Sequence, residues 1–230
     1  MPSKSLELGL ILNIETATKN CSVSLADKGK LLALKELNDG NYSHAEKLHV
    51  FIKDVLEQAN TSFSNLDAIA VSKGPGSYTG LRIGVSAAKG LCFALDIPLI
   101  AAQTLETLAK QLQPKTDYIV PMLDARRLEV YSAVYNSKFE LIRAIEAQVL
   151  GATSFDEYLN KGSISFIGDG VSKTKDIIRN ENANYIEGCL PSAKEMAQHS
   201  YDKYCAKQFE NSAYFEPFYL KDFVVTTKKK

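Results

Sequence analysis

The sequence predicts an α/β protein made of two halves that share one order of elements. Short apolar runs rich in β-branched residues, which are typical of buried strands, alternate with longer stretches of helical periodicity. The order strand, strand, strand, helix, strand, helix occurs twice along the 230 residues. Because single strands and helices do not alternate regularly, this order disfavours a Rossmann domain.

The first half is predicted to begin with three meandering strands. We expect them over residues 8–14, 21–26 and 31–37, with a hairpin turn at residues 27–30. A helix over 43–59 follows, and Ser43 with Glu46 three residues later is a capping-box signature at its start. A strand over 66–71, a helix over 79–94 and a strand over 98–102 complete this half.

The second half repeats this order after a linking helix over 104–113. Strands are expected over 118–123, 128–135, 141–149 and 163–167, and helices over 154–159, from 170 to 178 and over 192–209. This is the order of the two-domain actin/hexokinase/Hsp70-like fold, which is itself ribonuclease-H-like and is built from duplicated βββαβα halves. We therefore expect domains over 1–104 and 105–230, with the last segment packing back on the first half.

The composition argues against a general affinity for nucleic acid or for anionic membranes. Lys plus Arg and Asp plus Glu both number 27, so the formal net charge is zero. The four cysteines form no Cys-x-x-Cys pair, and Cys21 and Cys92 lie in apolar runs, which predicts buried free thiols in a reducing compartment. No signal-like or bilayer-length apolar run occurs, so we expect a cytoplasmic protein.

The glycine-rich stretch over 72–84 lies between a predicted strand and a predicted helix. It is not a P-loop, because Leu81 follows Gly80 where a lysine is needed. It also lacks the dinucleotide fingerprint, because Thr79 stands in place of the third glycine. Gly80, Gly84 and Ala88 share one helix face, which fits either close packing within this chain or a groove for a partner's helix.

Catalytic chemistry is poorly supported by the residues. Glu15 and Thr16 follow the first strand, and the first strand of the second half is followed by Asp124, Arg126 and Arg127. Neither turn has a glycine that would let backbone N–H groups approach a phosphate. The two arginines are expected either to bind an anion or to form a simple salt-bridged turn. His44, His49 and His199 do not have metal-ligand spacing. We predict neither a catalytic residue nor a metal site.

Five segments together resemble the TsaB family, also called YeaZ. They are Leu12–Thr18, Ser43–Glu46, Lys73–Gly84, Leu123–Tyr131 and Pro217–Lys221. The resemblance covers nearly the whole chain, and the glycine-rich segment with Asp124-Ala125-Arg126-Arg127 is quite specific.

This resemblance implies an accessory protein for threonylcarbamoylation of the adenosine next to the anticodon, in tRNAs that read codons starting with A. The family acts by docking on the catalytic subunit TsaD, which holds a metal with paired histidines, together with the ATPase TsaE. It implies contact with tRNA through the complex and homodimers when the protein is alone. No intrinsic cofactor is expected, and ATP or ADP is expected at the interface of the complex.

The resemblance also implies that the first two helices form the docking seam. The predicted partner-binding residues on these helices are Leu48, Phe51, Ile52, Val55, Gly80, Ile83, Gly84, Ala87 and Ala88. The predicted contacts with nucleotide or tRNA are Glu15, Thr16, Arg82, Arg126 and Arg127. If Gly84 lies in the seam, Gly84→Leu should block docking and leave the fold mostly intact.

Two other classes of function remain open at this level. One is an ATP-dependent phosphotransferase or a peptidase of the same superfamily, which the missing phosphate-loop glycines disfavour. The other is a stand-alone RNA-binding module, which the zero net charge disfavours.

Overall fold

The computed structural model describes residues 9–40, 43–113 and 115–221, which form two five-stranded mixed sheets. The first sheet is built from β1 (Leu10–Glu15), β2 (Cys21–Asp27), β3 (Lys30–Leu37), β4 (Ala68–Ser72) and β5 (Leu99–Ala102). Its strands lie in the order β3-β2-β1-β4-β5. The first three strands pair antiparallel, whereas β4 and β5 add in parallel, because the helices between them return the chain to the starting edge.

Two helices cover one face of the first sheet. These are α1 (His44–Gln58) and α2 (Tyr78–Leu95). Leu48, Ile52 and Val55 of α1 pack with Val85 of α2 against Leu12 and other side chains of the sheet. At the start of α2 the Ser77 hydroxyl accepts a hydrogen bond from the Gly80 N–H at 3.2 Å, and Asp96 ends the helix in the left-handed conformation.

The second sheet repeats the strand order of the first. Its strands are β6 (Tyr118–Asp124), β7 (Glu129–Asn136), β8 (Leu141–Val149), β9 (Ile164–Ile167) and β10 (Ala183–Ile186). They lie in the order β8-β7-β6-β9-β10, which corresponds strand for strand to β3-β2-β1-β4-β5. The sequence did not predict β10, a four-residue edge strand, and with it the two halves match fully.

The last helix of each half packs on the sheet of the other half. The remaining helices are α3 (Thr104–Ala109), α4 (Asp156–Leu159), α5 (Val171–Ile177) and α6 (Ala193–Cys205). Leu105 and Leu108 of α3 pack with Ile119 and Leu123 of β6. Met196 of α6 packs on the face of the first sheet opposite α1 and α2. The two halves are therefore tied together by an exchange of helices.

Buried polar pairs hold α6 on the first sheet. The Ser24 hydroxyl donates to the Ala193 carbonyl at 2.7 Å, and the Ser22 hydroxyl accepts from the Ala193 N–H at 3.0 Å. Further along the helix, the Ser200 hydroxyl donates to the Asn13 Oδ1 at 2.6 Å. These bonds satisfy polar groups that would otherwise be costly to bury.

The chain after α6 runs back along the first half. The Glu210 N–H donates to the Leu99 carbonyl at 2.8 Å, which adds one antiparallel bridge at the edge of the sheet. Lys89 Nζ of α2 donates to the Ala213 and Phe215 carbonyls at 3.2 and 3.0 Å. These contacts place residues 210–215 against the first half, and the division into domains over 1–104 and 105–230 stays a prediction.

The predicted fold class is confirmed, and most predicted strands and helices occur within two or three residues of their expected bounds. The capping box at Ser43 is wrong, because the Ser43 side chain makes no capping hydrogen bond. The helix expected over 154–159 begins at Asp156, after Phe155 in a left-handed conformation.

Cys21 and Cys92 are buried free thiols, as expected. In the described part of the chain, no helix has both the length and the apolar character needed to cross a membrane.

Candidate functional site

The first loops of the two halves face each other across a cleft of about 530 Å³. The cleft is lined by the β1–β2 loop, the glycine-rich turn before α2, the β6–β7 turn and the chain over 218–221. This is the place where parallel strands of both sheets end, and ligands of open α/β sheets commonly bind at such a place. The cleft is therefore the first candidate site.

The glycine-rich turn packs against this chain's own loops. The Ser77 N–H donates to the Ala17 carbonyl at 2.6 Å, and a Cβ on Gly76 would overlap the same carbonyl. Gly74 has a φ of 111°, and a Cβ there would lie 2.6 Å from the Phe218 carbonyl oxygen. The Ser77 amide is therefore already used, and the glycines serve close backbone approach.

Glu15 and Thr16 are predicted contacts that the structure places in the interior. Both are fully buried. The Glu15 Oε1 accepts from the Ala17 N–H at 2.7 Å, whereas its Oε2 has no hydrogen-bond partner among the described residues. Burial raises the pKa of the Glu15 carboxyl from its ordinary 4.5 to about 7. Their assignment to nucleotide or tRNA contact is therefore corrected, because neither side chain reaches the surface.

The β6–β7 turn is held by an ion pair between Asp124 and Lys173 of α5, and not by the expected salt bridge of Asp124 with Arg126 and Arg127. The Asp124 Oδ1 accepts from Lys173 Nζ at 2.6 Å and from the Arg126 N–H at 2.7 Å. Lys173 Nζ also donates to the Arg127 carbonyl at 3.0 Å. Arg126 and Arg127 have positive φ values of 72° and 51°, and both side chains are exposed. Their contact with an anion stays a prediction.

A second candidate site is a groove of about 800 Å³ on the outer side of α1 and α2. Its walls are formed by Ala45, His49, Tyr78, Thr79, Arg82, Ile83, Ser86, Ala87, Gly90 and Leu91. Most of these residues are small or apolar, and Gly90 has no atom within 4 Å of the place where a Cβ would stand. Another helix can therefore approach the backbone of α2 closely along this face.

Seven of the nine predicted partner-binding residues do not line this groove. Besides Phe51 they are Leu48, Ile52, Val55, Gly80, Gly84 and Ala88, and these six are buried within the chain. A Cβ on Gly80 would overlap the Thr16 carbonyl, and one on Gly84 would overlap the Thr16 hydroxyl. Their assignment to a docking seam is therefore corrected, and this row serves packing against the β1–β2 loop. The three remaining residues, Phe51, Ile83 and Ala87, are half-buried and stay predictions.

Sequence reasoning missed most of the groove-lining residues. Ala45, Tyr78, Thr79, Ser86, Gly90 and Leu91 were not assigned to the docking surface. The signal that could have found several of them is a second small-residue row, since Ser86 and Gly90 are four residues apart on α2. Two such rows occur on one helix, and spacing alone does not tell which one faces the sheet.

Arg82 lies at the groove and not in the cleft. Its guanidinium carbon is 4.3 Å from the centroid of the Tyr78 ring, and its Nε donates to the Tyr219 hydroxyl at 3.2 Å. The Tyr78 and Tyr219 ring centroids are 4.8 Å apart. The five predicted contacts for nucleotide or tRNA therefore do not form one site, because two are buried, two lie on the β6–β7 turn and Arg82 lies on α2.

The three histidines lie apart. His44 is buried, and its Nε2 donates to the Thr18 carbonyl at 2.7 Å, while burial lowers its pKa. His49 is exposed on the other side of α1, and His199 lies in α6 with Nδ1 at 3.3 Å from Glu106 Oε1. Within residues 9–40, 43–113 and 115–221, no three His, Cys, Asp or Glu side chains are grouped so as to hold a metal ion.

Comparison with known proteins decides the family. A family model described as "TsaD: tRNA N6-adenosine threonylcarbamoyltransferase" matches residues 40–229. The Bacillus subtilis tRNA threonylcarbamoyladenosine biosynthesis protein TsaB is 32% identical over 193 residues, which cover 83% of this chain and 82% of the relative. The chain belongs to the TsaB branch of this family. The Haemophilus influenzae TsaB is 28% identical over 95% of this chain and 96% of its own length.

Solved structures of TsaB-like proteins have the same fold. YeaZ from Pseudomonas aeruginosa superposes with a TM-score of 0.78 at 26% identity, over 92% of this chain and all of that one. A second Pseudomonas aeruginosa structure, described as similar to peptidase YeaZ, gives a TM-score of 0.81 at 25% identity, over 93% of this chain and all of that one. The TsaB-family fold therefore extends over both sheets of this chain.

Proposed function

We propose that this TsaB-family chain is a non-catalytic subunit for threonylcarbamoylation of the adenosine next to the anticodon, in tRNAs that read codons starting with A. It acts by docking on TsaD, with TsaE in the same assembly. The names of its relatives, which are threonylcarbamoyladenosine biosynthesis proteins, support the pathway. The observation that carries the docking role is the open groove on the outer side of α1 and α2.

The groove suits a helix of the partner. Its floor on α2 carries Ser86, Ala87 and Gly90, so that a second helix axis can approach closely without displacing side chains. On the same two helices, Val50 of α1 is half-exposed and Phe93 of α2 is 89% exposed, so both helices carry further exposed apolar side chains. An amphipathic helix laid into a hydrophobic groove is a common mode of recognition.

The cleft supports an accessory role more than a catalytic one. Its glycine-rich turn packs on Ala17, Asp124 is held by Lys173, and residues 218–221 of this chain form part of its wall. Among the described residues that line the cleft, no nucleophile is hydrogen-bonded to a base. We therefore place ATP or ADP at the junction with TsaD and TsaE. The exposed Arg126 and Arg127 are candidates for tRNA contact within the complex, in the cytoplasm.

The chain alone is proposed to form a homodimer through the same groove. A second copy offers the same small-residue face of α2, and two-fold pairing of identical surfaces is the commonest form of self-association. Docking of TsaD would then replace the second copy.

Reconstitution of the modification tests this function. Incorporation of labelled threonine into tRNA is measured with TsaD, TsaE and an activated threonylcarbamoyl donor, with and without this chain. We expect product only when the chain is added, and no product from the chain without TsaD. Transfer by the chain alone, ATP turnover by the chain alone, or full activity in its absence would contradict the accessory role.

A further inference from the structure

Arg82 is held by two aromatic residues at the wall of the groove. Tyr78 lies one helical turn before it and supports the guanidinium face at 4.3 Å. Tyr219, far away in the sequence, accepts the Nε hydrogen bond at 3.2 Å. These contacts fix the plane of an otherwise exposed and flexible side chain.

Tyr219 is itself fixed, because its neighbours in the chain are tied to both halves. The Phe218 N–H donates to the Lys73 carbonyl at 2.7 Å, beside the glycine-rich turn. Lys221 Nζ pairs with Glu129 of the second half. The segment Pro217–Lys221, one of the segments by which the sequence resembles its family, is thus a strap between the halves. Its Tyr219 presents a hydroxyl to Arg82.

The terminal nitrogens of Arg82 remain available. Among the described residues, Arg82 makes no ion pair, and its one hydrogen bond uses Nε. The hydrogen bond to Tyr219, with Tyr78, Tyr219 and Glu216 nearby, raises the pKa of Arg82, so the group is charged at every physiological pH. A planar guanidinium whose terminal nitrogens have no hydrogen-bond partner among the described residues matches the geometry of a carboxylate.

The groove has a cationic end and no acidic wall residue. Arg82 and His49 are its titratable residues besides Tyr78, and the groove lining contains neither Asp nor Glu. Lys89 of the same helix is directed away, since its Nζ donates to carbonyls of the C-terminal segment. Charge complementarity therefore favours a partner helix with an acidic side chain near Arg82.

We propose that Arg82 anchors a carboxylate on the helix that TsaD lays in the groove, and that Tyr219 is the positioning residue that orients Arg82 for this contact. The proposal rests on the proposed docking of TsaD and deepens it, because it makes the strap part of the docking surface. A protein carboxylate is favoured over a tRNA phosphate, since Arg82 lies in a mostly apolar groove apart from Arg126 and Arg127.

A double-mutant cycle tests this pair. TsaD is titrated into wild type, Arg82→Ala, Tyr219→Phe and the double variant by calorimetry, at low and high salt. We expect Arg82→Ala to weaken binding about tenfold, and Tyr219→Phe about threefold. Because Tyr219 acts through Arg82, the double variant should bind no more weakly than Arg82→Ala. Loss of Arg82 should also reduce the salt dependence of the affinity.

Tyr214→Phe is the matched control, because Tyr214 lies in the same C-terminal segment and is 84% exposed. It should bind like wild type, and all variants should keep the wild-type unfolding temperature. Independent losses in the double variant would overturn the positioning role of Tyr219. If Arg82→Ala leaves TsaD affinity unchanged but weakens tRNA binding by the assembled complex, the contact is to phosphate and the proposal is wrong. If wild type itself does not bind TsaD, the docking function fails, and this proposal with it.

Discussion

Both faces of α2 carry small residues, but the inner face packs against this chain and the outer face is open. On the inner face, Gly80 and Gly84 let the β1–β2 loop approach until a Cβ would overlap Thr16. On the outer face, Ser86 and Gly90 border an open groove, and a Cβ on Gly90 would meet no atom within 4 Å. A row of small residues thus permits close approach, but it does not say whether the neighbour belongs to the same chain.

The largest effect on stability is expected from placing a large side chain on the inner face of α2. Gly84→Leu should lower the free energy of unfolding by about 3 kcal/mol, the upper end of the usual cost of overpacking, because the new side chain must displace Thr16 and the loop behind it. Chemical denaturation monitored by circular dichroism measures this. The sequence-based expectation that Gly84→Leu spares the fold is thereby reversed, and a variant of wild-type stability would restore it.

The next largest effect is expected on the pH dependence of stability, through ionisation of the buried Glu15 carboxyl. Folding raises the pKa of Glu15 from 4.5 to about 7, so the folded protein binds this proton more tightly than the unfolded chain does. The corresponding stabilisation is fully present below about pH 4.5 and is lost as the pH rises through about 7, a change on the order of 3 kcal/mol.

Glu15→Gln should remove this part of the pH dependence, because glutamine keeps an oxygen for the Ala17 N–H and does not ionise. Denaturation curves of wild type and variant at pH 5 and pH 8 make the comparison. Wild type should lose stability between these values relative to the variant. Parallel pH profiles for the two proteins would show that Glu15 does not titrate in this range.

The smallest effect on stability is expected from a substitution on the outer face of α2. Gly90→Ala should raise the free energy of unfolding by about 0.5–1 kcal/mol, since alanine favours the helix and its methyl group meets open space. Thermal unfolding of this variant beside wild type measures the gain. A loss of stability would mean that Gly90 is packed in solution, and the contrast between the two faces would fail.

The sequence was sufficient for the order of elements and for the family. Apolar runs separated by turn residues predict the strands, and two similar halves predict two similar sheets. The four-residue β10 was missed, because Ala183–Ile186 is too short and too polar on its flanks to show a strand pattern. Its existence follows from pairing with β9, which is a tertiary property.

The candidate site was harder to predict, because it depends on which face of each helix is covered. Periodicity placed Leu48, Ile52 and Val55 on one stripe of α1, yet that stripe packs on the sheet. The side that lines the groove consists of residues such as Ala45 and His49, whose types carry little signal alone. The contact between Arg82 and Tyr219 joins positions 137 residues apart, which no local pattern reveals.

The central claim is that the outer face of α1 and α2 is the docking surface. Size-exclusion chromatography with light scattering tests it on this chain mixed with TsaD of the same organism, as wild type and as Gly90→Leu. Gly151→Leu is the matched control, because a Cβ at Gly151 also meets no atom within 4 Å but lies outside the groove. We expect a one-to-one complex for wild type and control, and binding at least about tenfold weaker for a folded Gly90→Leu. Complex formation by Gly90→Leu equal to wild type would contradict it.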